Sequence, residues 1–389
     1  MRILLARLAV VSLPVFLVAG CGGVYSINQP EPVSTCVPTS TPEPEYAYVL
    51  TGYSVHSYTV NSCGEFTATT PPSVAMGYSY PQWGAEQMVV DPLGRFAYVA
   101  NLVSNTSDDS TISMYTINSA TGVLTPTTPP TIPTGFFPQG IAIDPQGRFV
   151  YTANSDDNTV SMFTVNPSTG VLTPTTPPTV STGTGSAPGF VTIDPAGKFA
   201  YVSNQDNDTV SMFTINQSTG VLTPTTPATV PTLASPFAVT IDPTDSFAYV
   251  PDAYSSVNGI SEYTVNSTTG VLTPVTPSYV TAGNEPTAVA VDPTGKYAYV
   301  ANQMDDTVSM FTINPTSGIL TANGTIETGN SPVGIGFDTT GKYLYVTNQN
   351  DVEWIYTVNS DGTLTEAGST GPGNGAYSTA FAPIVGPPI

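Results

Sequence analysis

Charge is scarce in this chain, and positive charge scarcer still: 9% of the 389 residues are charged, with 7 Lys and Arg against 28 Asp and Glu. The formal net charge of −21 repels a nucleic-acid backbone, so no nucleic acid is expected as a partner. There is a single histidine, His56, and there are three cysteines, Cys21, Cys36 and Cys63. No Ser/His/Asp arrangement, metal-spaced His/Cys cluster or phosphate-cradling glycine loop can be traced, which leaves no metal site and no nucleotide loop in the sequence. The Ala/Glu/Lys/Leu mixture of helices is also missing. What the chain has is 34 Gly, 38 Pro and 40% hydrophobic residues, with abundant Thr, Val and Tyr. That composition reads as all-β, rich in turns, with enough apolar material for a large core.

The first twenty residues are an address. Arg2 and Arg7 precede an apolar stretch from Leu8 to Val18, shorter than the roughly 20 residues a bilayer span needs, so 1–20 reads as a signal peptide. The stretch closes on Leu17-Val18-Ala19-Gly20-Cys21, which resembles the bacterial lipoprotein box and implies lipidation at Cys21. The expected location is the bacterial cell envelope, exported and anchored in a membrane through that lipid. Residues 21–45 are rich in Pro, Ser, Thr and Gly without hydrophobic period and read as a tether. Once Cys21 is acylated, Cys36 and Cys63 remain as an even pair in an oxidising compartment, and a Cys36–Cys63 disulfide is expected.

From residue 46 to 389 one pattern recurs. Its clearest copy runs Gly140 to Ile143, a turn Asp144-Pro145-Gln146-Gly147, the run Phe149 to Asn154, a polar loop, Thr159 to Asn166, and Gly170 to Pro174. Taking the second-run Tyr as anchor, copies sit at Tyr48, Tyr98, Tyr151, Tyr201, Tyr249, Tyr299 and Tyr345. Seven units of four short strands predict a seven-bladed β-propeller of four-stranded antiparallel blades. The first unit lacks an inner strand, whereas Ala376 to Pro383 aligns with Gly140 to Pro145. The C-terminal strand is therefore expected to complete blade one and close the ring. Asp-Pro-x-Gly favours a type I turn at each position, so these carboxylates read as turn formers. Gly122, Gly170, Gly220 and Gly270 close hairpins that need positive φ.

The runs Tyr98-Val99-Ala100-Asn101, Tyr299-Val300-Ala301-Asn302 and Tyr345-Val346-Thr347-Asn348 resemble the bacterial YVTN propeller repeats. With the Asp-Pro-x-Gly-Lys/Arg turns and Tyr249-Val250-Pro251-Asp252, the chain is similar to the seven-bladed lactonase family, which includes 6-phosphogluconolactonases. The resemblance implies His, Arg and Glu around the channel mouth. The corresponding positions here are Pro286-Thr287-Ala288, Asn302-Gln303 and Pro236-Phe237-Ala238, so no catalytic residue carries over.

Charge placement points the same way. Arg95, Arg148, Lys198, Lys296 and Lys342 all directly follow the turn between first and second strands, which puts them at the end of the ring opposite the mouth. An anionic substrate would meet no guanidinium or ammonium at the mouth. Counting five residues back from each turn Asp, the channel entrance is expected to carry Glu86, Gln139, Gly189, Phe237, Thr287, Val333 and Tyr377. Of these, Glu86, Gln139, Phe237, Thr287 and Tyr377 are the candidate ligand-binding residues, a set suited to a neutral ligand. His56 falls in an outer strand, away from the channel. The loops after the second strands are acidic and could attract Ca²⁺, although none has the spacing of a calcium loop; no other cofactor is expected. Two functions stay open. The favoured one is a monomeric binding or scaffold module for a protein, peptide or glycan. The alternative is a lactone hydrolase for an uncharged lactone, with Glu86 as general base.

Overall fold

The computed structural model describes residues 45–76, 85–101, 110–253, 257–350, 352–372 and 375–383, with no side-chain description for residues 85, 86 and 383. Among the described residues, twenty-eight strands form seven four-stranded antiparallel sheets arranged as blades around a ring. Blade 1 holds β1 (Glu45–Thr51), β2 (Ser54–Val60) and β3 (Phe66–Ala75). Blade 2 holds β4 (Ala85–Val90), β5 (Phe96–Asn101), β6 (Thr111–Ile117) and β7 (Leu124–Pro133). Blade 3 holds β8 (Pro138–Ile143), β9 (Phe149–Asn154), β10 (Thr159–Val165) and β11 (Leu172–Ser181), and blade 4 holds β12 (Pro188–Ile193), β13 (Phe199–Asn204), β14 (Thr209–Ile215) and β15 (Leu222–Pro231). Blade 5 holds β16 (Thr240–Ile241), β17 (Phe247–Pro251), β18 (Gly259–Val265) and β19 (Leu272–Thr281), and blade 6 holds β20 (Pro286–Val291), β21 (Tyr297–Asn302), β22 (Thr307–Ile313) and β23 (Leu320–Glu327). Blade 7 holds β24 (Pro332–Phe337), β25 (Tyr343–Asn348), β26 (Glu353–Val358) and β27 (Leu364–Thr370); β28 (Ala376–Pro383) returns to blade 1.

Closure occurs as the repeat predicts. β28 pairs antiparallel with β1 from Glu45↔Pro383 to Thr51↔Ala376, so the sheet order is β28-β1-β2-β3. Backbone hydrogen bonds thus lock the two ends of the ring together, and the inner edge of blade 1 is not left unpaired.

The anchor tyrosines hold neighbouring blades together. Each is buried, and its hydroxyl donates to the carbonyl of the hairpin glycine in the next blade. The pairs run Tyr48 to Gly122 (2.9 Å), Tyr98 to Gly170 (2.8 Å), Tyr151 to Gly220 (2.8 Å), Tyr201 to Gly270 (3.0 Å), Tyr249 to Gly318 (2.8 Å) and Tyr299 to Gly362 (3.0 Å). Tyr345 to Gly64 (2.7 Å) carries the series across the closure. Glycine is needed at these hairpins twice over. Gly170 has φ 72°, and a Cβ there would lie 2.4 Å from Cδ1 of Phe96 in the preceding blade. The remaining interface is aliphatic and aromatic: one cluster joins Tyr151, Val160 and Met162 of blade 3 to Val191, Val202 and Phe213 of blade 4.

The Asp-Pro turns behave as local chemistry dictates. Asp144 is buried; its backbone carbonyl accepts from Gly147 N (2.8 Å) and its carboxylate accepts from the backbone of Arg148 and Phe149. The guanidinium of Arg148 also pairs with it, at 2.9 Å, and Arg95 pairs with Asp91 at 2.5 Å. These cations are spent on their own turns, at the end of each blade remote from the second-strand Asn residues.

Candidate functional site

The innermost strands enclose an axial cavity of about 680 Å³. β12, β16, β20, β24 and β28 supply most of its wall, with Gln87 from β4. Amides (Gln87, Gln303, Gln349), hydroxyls (Thr192, Thr240, Ser378, Thr379) and aromatic faces (Phe190, Phe237, Tyr377) stand around it, and none of the described lining residues carries a charge. Phe190 and Phe237 pack against each other with centroids 4.9 Å apart. Such a surface offers hydrogen bonds and flat apolar faces but no ion pair, which suits a neutral, oxygen-rich ring.

Of the expected entrance residues, Phe237, Thr287, Val333 and Tyr377 line this cavity. Thr287 is 1% exposed and its hydroxyl is directed at the carbonyls of Pro332 (3.3 Å) and Ala301 (3.4 Å), so it braces blade 6 on blade 7. Gln139 and Gly189 are not among the lining residues: the Gln139 amide oxygen is buried beside Gly189, whose missing Cβ would also meet the Gln205 amide. The side chain of Glu86 lies outside what the structure describes. Its neighbour Gln87 reaches the cavity and accepts from Ile141 N at 2.8 Å.

Counting back from the turn misses these directions because the inner strands bulge. Register slips by one residue between Ala85 and Met88, Pro138 and Ile141, and Pro188 and Val191, and again near the starts of β20 and β24. An extra residue in an alternating strand turns the side chains beyond it to the other face. In blade 5 the inner strand shrinks to Thr240–Ile241, with Phe237 N held by Pro251 O at 2.9 Å.

The sequence matches the family described as lactonase, 7-bladed beta-propeller, over residues 40–185, 173–280 and 273–380. The chain belongs to this lactonase family. Solved structures agree on the fold. A putative 6-phosphogluconolactonase from Bacteroides uniformis is 21% identical, covers 87% of this chain and 100% of its own, and superposes with a TM-score of 0.71. A periplasmic gluconolactonase from Pseudomonas aeruginosa is 17% identical over 88% of this chain and 100% of its own, with a TM-score of 0.70. No curated protein matches the sequence.

Within this lactonase-family fold, several carboxyl groups sit where the repeat has none. Glu262 takes the place of Met114, Met162, Met212 and Met310; where those sulfurs accept from a leucine N–H of the next blade, Glu262 accepts from Leu320 N at 2.8 Å. Burial pushes its carboxyl up to about 7. Asp252 replaces the Asn that ends other second strands. There Asn154 donates to Thr159 (3.0 Å) and Ser161 (2.9 Å), whereas Asp252 can only accept, and takes the Ser261 hydroxyl at 2.7 Å. Burial raises it to about 6. Glu353 is fully buried, and desolvation raises its carboxyl to about 8.

The remaining sequence candidates lie away from the cavity. His56 sits in β2, its Nε2 3.0 Å from the Ser54 hydroxyl, and burial lowers its pKa. Cys63 is buried and disulfide-bonded; Cys36, its expected partner, and Cys21 lie outside the described residues. Acidic side chains of the upper loops hold backbone: Asp157 accepts from Phe136 N (2.8 Å) and Asp306 from Ser331 N (2.8 Å). Among the described residues, no three His, Cys, Asp or Glu side chains are grouped to hold a metal.

Proposed function

We propose that this protein hydrolyses an uncharged lactone in the axial cavity. The observation that carries the reading is a cavity of about 680 Å³ walled by amides, hydroxyls and aromatic rings, with no charged side chain among the described lining residues, in a chain of the lactonase family. A neutral sugar lactone matches it in kind. Gln303 and Gln349 offer donors and acceptors to ring hydroxyls, and the Phe190–Phe237 pair offers a flat apolar face. A phosphorylated lactone would lose its hydration shell there without gaining a cation. Family and lining together favour hydrolysis over the scaffold role that the sequence alone favoured. Glu86, one residue from Gln87, remains the candidate base for the attacking water. The proposal includes export and lipid anchoring at Cys21, to be tested by mass analysis of the mature N-terminus.

The deciding assay is turnover of neutral and phosphorylated sugar lactones, corrected for spontaneous opening, by the wild type and Glu86→Gln. Turnover of the neutral compounds that Glu86→Gln abolishes supports hydrolysis with that base. Rates equal to buffer for every lactone overturn it and return the protein to a binding role.

A further inference from the structure

One register position of the third strand is fully buried and aliphatic in six blades: Val55, Ile112, Val160, Val210, Ile260 and Val308. Each pairs with an aliphatic partner in the outermost strand, Val74, Ile132, Val180, Val230, Val280 and Ile326. In blade 7 the same position is Glu353, 0% exposed, and its partner is Thr370. An apolar rung has become polar in the joint where blade 7 meets β28 of blade 1. Packing alone favours the aliphatic residue, because a buried carboxyl without full hydrogen bonding costs several kcal/mol.

Neither carboxyl oxygen of Glu353 has a well-directed hydrogen bond. Beside it stand the hydroxyls of Thr347 on β25 and Thr379 on β28, bonded to each other at 3.2 Å, and both threonines line the axial cavity. The titratable groups facing Glu353 are Tyr58 from β2 and Tyr345 from β25, while its stem packs against Gly371 beyond β27. The lysine and arginine side chains of the described residues stand at the turn end of the ring, away from this upper end of β26.

We propose that Glu353, as the neutral acid, orients the Thr347–Thr379 hydroxyl pair to donate a hydrogen bond to a carbonyl oxygen of a ligand in the axial cavity. This rests on the lactone reading and deepens it by naming the group that recognises the carbonyl. A neutral carboxyl has one O–H; given to one threonine, it lets the pair relay its own donors forward and leaves one O–H for the cavity. An ionised carboxylate only accepts, so both hydroxyls turn back toward it and the donor is withdrawn. Because burial holds the carboxyl up to about 8, the donating state prevails at neutral pH. Glu353 is thus a positioning residue, and the threonines are the groups that touch ligand.

The test is calorimetric binding of D-glucono-1,5-lactam, a neutral lactone analogue that does not open, at about pH 6 and about pH 9.5. Loss of one good hydrogen bond corresponds to about tenfold in affinity. Wild type should bind about tenfold more weakly at the higher pH. Glu353→Gln, which keeps a neutral donor, should match the wild type at low pH and show no pH dependence; Thr379→Val should be weak at both. Wild-type affinity that ignores pH, Glu353→Gln that follows the wild-type pH curve, or absence of binding at either pH overturns the proposal. Binding with this pH dependence but no lactone turnover defeats the hydrolase reading and leaves this one standing; turnover with pH-independent binding does the reverse.

Discussion

Replacing Glu353 by valine restores the residue type of the other six blades and gives a stability experiment with a calculable sign. The ordinary glutamate value of 4.5 is raised by desolvation to about 8 in the folded chain. Between those two values the folded state holds a proton that the unfolded state has released, so stability falls as pH rises, at up to about 1.4 kcal/mol per pH unit. The group's contribution is complete below pH 4.5, lost progressively up to about 8 and flat above it. Over the whole window this amounts to about 5 kcal/mol. Glu353→Val removes the term. It also takes the carboxyl away from the Thr347–Thr379 pair, which keeps only its mutual 3.2 Å hydrogen bond, at about 1–3 kcal/mol. The variant should therefore be more stable than wild type by about 2–4 kcal/mol above pH 9 and equal or less stable near pH 4.5. Urea melts of both proteins across that range measure it, and the difference curve cancels Glu262 and Asp252, which titrate in the same interval. Parallel stability profiles would show that Glu353 carries no buried proton, and the reasoning would fail.

Four further outcomes follow from the geometry. Gly170→Ala places a Cβ 2.4 Å from the Phe96 ring at φ 72° and should cost about 2–4 kcal/mol in a urea melt; a loss under about 0.5 kcal/mol would contradict the joint as described. Tyr345→Phe removes the 2.7 Å hydrogen bond to Gly64 across the closure and should cost about 1–2 kcal/mol, measured the same way. Deleting residues 375–389 strips β28 from β1 and should collapse the cooperative melt, whereas an unchanged melting temperature would refute closure by backbone pairing. Phe237→Ala opens the aromatic face of the cavity and should raise KM for a neutral lactone about tenfold with little change in kcat, so unaltered kinetics would remove Phe237 from the site.

The ring was legible because its determinants are local and repeated. Tyr anchors, Asp-Pro turns and hairpin glycines each specify a short conformation, and seven copies make the pattern unmistakable. The cavity was read less well. Phe237, Thr287 and Tyr377 reach its wall, but the inner-strand bulges divert Gln139 into the blade 3–4 interface and bring Gln87 to the cavity. No motif singles out Glu353 or Glu262, although the register holds a signal for Glu353: Trp354 aligns with Ser161, so Glu353 falls on Val160, an acid in an aliphatic column. Its weight becomes apparent when Thr370 and Thr379, from two other strands, are seen around it.

By itself, the amino-acid sequence determined the all-β class, the seven blades, the borrowed last strand and the exile of lysine and arginine to the turn end, since each is written in a repeat unit of about fifty residues, the last strand being the one the first unit lacks. Tertiary structure alone decided which side chains face the axis and which carboxyl is stripped of water. Those outcomes depend on one-residue slips in pairing and on contacts between strands, such as β26 and β28, whose threonine and glutamate meet only when the ring is shut.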